Sequence, residues 1–147
     1  MRIEPNKNQI KLKMPKMRCD APLSSKIPEP LMNAHNCVMF VAPAGSGKTS
    51  TLVSLLTDIY KKVFNRFHII MPHASLDSLP EKHLFRDLEV QDELTGDVLH
   101  KIREECEEAR QENENSILLI DDQVSRMKDP EVINELKYLI LNRRICI

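Results

Sequence analysis

The chain has 147 residues, 41% of them hydrophobic and 29% charged, with a formal net charge of −1. That size suits one domain with a real core. No apolar run approaches the roughly 20 residues needed to span a bilayer, and the N-terminal "MRIEPNKNQIKLKMPK" has no apolar core of a signal peptide, so an intracellular, non-membrane protein is expected. Cys19, Cys37, Cys106 and Cys146 are too scattered for a disulfide framework or a zinc site, and the five histidines form no metal-binding spacing.

Residues 1–33 read as an extended, proline-rich basic arm. They hold Pro5, Pro15, Pro22, Pro28 and Pro30, and seven Lys/Arg against three acids, so this segment is +4 and the rest of the chain −5. Proline removes a donor and fixes φ, which excludes a regular helix or central strand, apart from one short strand at "QIKLKM". Such an arm is either a solvated tail or a non-specific contact for phosphates.

From about residue 34 strands and helices alternate. "NCVMFVA" reads as a first buried strand and Thr49 to Val63 as a helix with Leu52, Leu55, Leu56, Ile59 and Val63 on one face. "RFHIIMP" reads as a second strand, stopped by Pro72. Residues 73–96 are ambiguous, with a short helix in "LPEKHLFRDL" and a short strand in "LEVQ". Asp97 to Asn113 is a charged helix with an apolar stripe of Val98, Ile102, Cys106 and Ala109, and "SILLIDD" is a third buried strand with acids at its carboxyl end. Asp129-Pro130 opens a last helix, with the carboxylate capping free N–H groups and proline suiting the first turn. Its apolar face is Val132, Ile133, Leu136, Leu139 and Ile140, and "RRICI" begins a fourth strand. The alternation predicts an α/β fold: a mostly parallel sheet with helices on its faces, in three layers.

"APAGSGKT", Ala42 to Thr49, fits the phosphate-binding loop G-x-x-x-x-G-K-[ST] at every fixed position except the first. The predicted nucleotide cradle is Ala42, Pro43, Ala44, Gly45, Ser46, Gly47, Lys48, Thr49 and Ser50. Gly45 and Gly47 let backbone N–H groups approach phosphate oxygens, and the following helix points its positive end at the same anion. Lys48 is expected to reach the β- and γ-phosphates of ATP, and Thr49 to ligate Mg²⁺. Asp121, at the tip of "SILLI", is expected to hold Mg²⁺ through water, and Asp122 to polarise the attacking water. An acid in that place favours hydrolysis of a nucleoside triphosphate over transfer to a bound hydroxyl.

The run "VAPAGSGKTSTLVSLL … HIIMP … SILLIDDQV … LKYLILNRR" resembles the DNA-packaging ATPases of large double-stranded DNA viruses, the poxvirus type within the FtsK–HerA group of P-loop NTPases. The likeness spans roughly residues 36 to 145 and rests on the first loop, on a second motif ending in Asp-Asp rather than Asp-Glu, and on "LNRR". It implies strand order 5-1-4-3-2, a homo-oligomeric ring, and ATP hydrolysis coupled to moving double-stranded DNA into a capsid. A capsid or portal partner and a place in the host cytoplasm, viral factory or virion follow from it. It also implies that Arg143 or Arg144 reaches a neighbour's γ-phosphate; the alternative is a cation satisfying the helix dipole. The family's R-H pair and downstream polar sensor have no counterpart in "RRICI", so residues 34–147 are expected to form a core truncated within its fourth strand. Two other readings stay open: a helicase-loader or AAA-type ATPase, and a nucleotide-binding remnant that does not hydrolyse.

Overall fold

A computed structural model of the chain describes residues 37–43, 45–60, 62–79 and 84–142. The basic arm, Ala44, Arg143, Arg144 and the expected fourth strand lie outside the described residues. The first element, α1 (Lys48–Ser54), continues without a break into a wider π-helical turn, Leu55–Ile59, where the Tyr60 amide donates to Leu55 O at 3.0 Å. Then follow β1 (Arg66–Ile70), α2 (His73–Asp77), a 3₁₀ turn (Leu84–Asp87) and β2 (Val90–Gln91). The chain closes with α3 (Gly96–Gln111), β3 (Ser116–Ile120), a second 3₁₀ turn (Arg126–Lys128) and α4 (Pro130–Leu141).

The three strands form one parallel sheet in the order β2-β1-β3, with Ile69 opposite both Val90 and Leu119. Because side chains alternate along a strand, the sheet has two apolar faces. Phe67, Ile69, Ile117 and Leu119 pack with Leu56, Tyr60, Val63 and Phe64 from the α1 side. Ile70, Leu118 and Ile120 pack with Leu99, Ile102 and Cys106 of α3 and with Val132 and Leu139 of α4. Helices therefore cover both faces, and the chain is mixed α/β around a parallel sheet.

The expected helix starts are present where a cap dictates them. Asp129 Oδ1 accepts from the Glu131 amide at 3.0 Å, and Thr95 Oγ1 accepts from the Val98 amide at 3.2 Å. On α3 the expected Ile102, Cys106 and Ala109 are buried, Leu99 is fully buried beside them, and the expected Val98 is only partly covered. On α4, Ile140 lies outside the core at 48% exposure, although spacing puts it on the apolar face. The stripe of this 12-residue helix that meets the α3 side runs through Val132, Leu136 and Leu139 instead.

One expected strand is absent. Residues 37–43 form no strand, and Met39 and Val41 are 80% and 83% exposed. A strand exists through ladder hydrogen bonds to a neighbour, and among the described residues none pairs with this segment.

Candidate functional site

Parallel strands bring their carboxyl ends to one edge of the sheet, and the chemistry-bearing residues collect there. The chain enters through Ala42 and Pro43, and the Ser46 amide donates to Pro43 O at 3.3 Å. Gly45 and Gly47 have φ of +73° and +81°, the left-handed region that disfavours a side chain. A Cβ placed on either glycine would meet no atom within 4 Å, so the loop presents bare backbone to open space. Gly47 caps α1, and its carbonyl accepts the first helical bond from the Thr51 amide at 2.9 Å. The Lys48 ammonium folds back over the loop and donates to Ala42 O at 3.0 Å and Pro43 O at 3.1 Å.

The opposite wall is the end of β3. The Asp121 amide donates to Ile70 O at 3.0 Å, which extends the β1–β3 ladder by one residue and fixes where the carboxylate leaves the sheet. Asp121 Oδ2 then accepts a hydrogen bond from Thr49 Oγ1 at 2.6 Å, between residues 72 positions apart. Asp122 turns with φ +56°, and its Oδ2 accepts from Ser75 Oγ at 3.4 Å. Gln123 is buried at 5% exposure; its Nε2 donates to Asp92 O at 2.8 Å and its Oε1 accepts from the Leu94 amide at 3.3 Å. Asp92 Oδ1 accepts from the His73 amide at 2.8 Å, at the start of α2.

No protein-family model matches this chain, and neither a curated protein nor a solved structure matches it. Its site must be judged on its own geometry.

Of the residues singled out by sequence, Thr49 and Asp121 are brought into direct contact, and Lys48 is held by two carbonyls of its own loop. Asp122 directly follows Asp121 in the chain but is engaged by Ser75. Ser50 lines a shallow groove along the outer side of α1 with Thr51, Ser54 and Asp58. Ser75, Asp92 and Gln123 carry no sequence signal, because each acts through a partner far along the chain.

The Thr49 hydroxyl and the Asp121 carboxylate are hard oxygen donors, the kind Mg²⁺ takes one or two of while keeping water and phosphate oxygens as its other ligands. Among the described residues no group of three or more His, Cys, Asp or Glu is placed to hold a metal by itself. An ion cluster sits at the far end of β1. There a hydrogen bond from Arg66 Nε to Glu114 at 2.7 Å, aided by the charges of Glu114 and Glu112, raises the Arg66 pKa above its ordinary value against partial desolvation. This ion cluster ties β1 to the end of α3 and is remote from the loop. None of the described helices is long and apolar enough to cross a membrane.

Proposed function

We propose that the chain is a P-loop ATPase, and that it acts as a subunit of a motor that translocates or packages double-stranded DNA. The contact between Thr49 and Asp121 at 2.6 Å carries the first part. Two segments that the sequence assigns to metal binding, one from each half of the chain, meet as two oxygens at one point. The open glycine backbone and the Lys48 cation beside it supply the anion-binding half. β1 and β3 stand side by side like the second and third strands of the implied order, although β2 on the far side of β1 has no place in that order.

On this reading the backbone N–H groups of Gly45 to Thr49 hold the phosphates of ATP, and Lys48 exchanges its two carbonyl partners for phosphate oxygens. Thr49 and, through water, Asp121 would hold Mg²⁺, whose charge would neutralise the β- and γ-phosphates. Asp122 orients and deprotonates the attacking water. Duplex DNA as the moved substrate, a ring of copies and a capsid-linked setting rest on the family resemblance of the motifs.

Turnover of ATP, measured with and without duplex DNA, tests both parts. The expected result is Mg²⁺-dependent hydrolysis stimulated by duplex DNA and lost in Lys48→Ala. Hydrolysis indifferent to DNA would remove the motor reading and leave an ATPase of the loader or switch type. Binding without turnover would leave a nucleotide-binding remnant.

A further inference from the structure

We propose that Ser75 is a positioning residue for Asp122, holding one carboxylate oxygen so that the other faces the reacting water. The inference rests on the hydrolytic reading above and adds to it a residue outside both sequence motifs.

Asp122 is solvent-exposed. An exposed carboxylate has two freely turning side-chain torsions, and aiming it costs entropy unless something fixed supplies a donor. Its backbone is already fixed, at φ +56°. The donor is Ser75 Oγ, 3.4 Å from Oδ2 and 47 positions earlier in the chain. A carboxylate accepts through both oxygens, so a bond at Oδ2 leaves Oδ1 for a water.

The donor is itself held. α2 has five residues, too few to persist on local bonds alone. Two tertiary contacts anchor it: Leu76 packs on the core, and Asp92 Oδ1 accepts from the His73 amide. Asp92 in turn is gripped through its carbonyl by the buried Gln123, the residue directly after Asp122. The polar contacts close a circuit, from Asp122 to Ser75, along α2 to His73, across to Asp92 and through Gln123 back to Asp122. A frame of this kind fixes the distance between hydroxyl and carboxylate without either being buried.

The substitution that tests it is mild, since Ser75 lies in a helix outside the core and alanine is the best helix former. In the full chain with Mg²⁺-ATP and duplex DNA, Ser75→Ala should lower kcat roughly ten-fold through misorientation, with KM and nucleotide affinity unchanged. Ser75→Thr, which keeps the hydroxyl, should restore the rate. In an Asp122→Asn background Ser75→Ala should have no further effect. Without nucleotide, the ¹³Cγ resonance of the Asp122 carboxylate should move in Ser75→Ala and return in Ser75→Thr.

A kcat that is unchanged or higher in Ser75→Ala, an equal loss in the Asp122→Asn background, or an unmoved carboxylate resonance overturns the inference. An active wild type indifferent to Ser75→Ala overturns this inference alone. A wild type that binds ATP and never hydrolyses it overturns the hydrolytic reading as well.

Discussion

The two walls of the site are built to different standards. The loop wall rides on α1, which buries none of its own residues before the π-helical turn, and is entered through an exposed apolar stretch from Val38 to Val41. The acid wall ends β3, inside a ladder with β1, over α3 with four buried residues and α4 with Val132 at 0% exposure. The hydrogen bond between Thr49 and Asp121 spans the two. The difference teaches where the stiffness lies: the acids are set by the sheet, whereas the loop gains its order from what it grips. A ligand that binds only the assembled site stabilises the whole chain by mass action, and here its effect should fall mainly on the loop wall.

The largest expected effect separates function from stability. Lys48→Ala should reduce ATP turnover by roughly 10² or more, the scale for losing a preorganised charge partner. Its melting temperature should stay near wild type, because among the described residues Lys48 bonds only to its own loop. Next comes a paired test of the two walls by urea denaturation. Leu99→Ala, emptying a fully buried site on α3, should cost about 2–5 kcal/mol. Leu52→Ala, on the partly covered α1, should cost about 1 kcal/mol. Equal losses would erase the contrast between the walls.

Gly96→Ala probes the seam between α3 and α4. A Cβ there would stand 3.0 Å from Glu131 Cβ, and overpacking of this kind costs about 1–3 kcal/mol. The smallest effect is Asp129→Ala, which removes the cap of α4 and should cost about 1 kcal/mol in the same denaturation assay. Hydrogen exchange then sharpens the comparison directly. A non-hydrolysable ATP analogue with Mg²⁺ should raise protection at residues 45–54 far more than at 99–106.

What was legible in the sequence was what depends on neighbours in the chain. Asp129-Pro130 announces α4, the 3.6-residue spacing announces α3, and the glycines and Lys48 announce the loop. The apolar runs around Ile69 and Leu119 become strands because each finds the other. Val38 to Val41 has the same character and becomes none, since a run of apolar residues says that burial is sought and not that a partner is present. The circuit through Ser75, Asp92 and Gln123 could not be read, because short-range pattern is silent about hydrogen bonds that span 19 to 47 positions.

The backbone at Asp122 has a consequence for which acid can serve there. The left-handed conformation at φ +56° is tolerated by aspartate and asparagine, whose short polar side chains bond locally, and poorly by longer residues. Glutamate would hold that turn only at a backbone cost of about 1–2 kcal/mol. The second aspartate of "SILLIDD" is thus the acid that this particular corner favours. Asparagine, equal in shape and at ease in the same turn, is the substitution that removes its charge while leaving the corner in place.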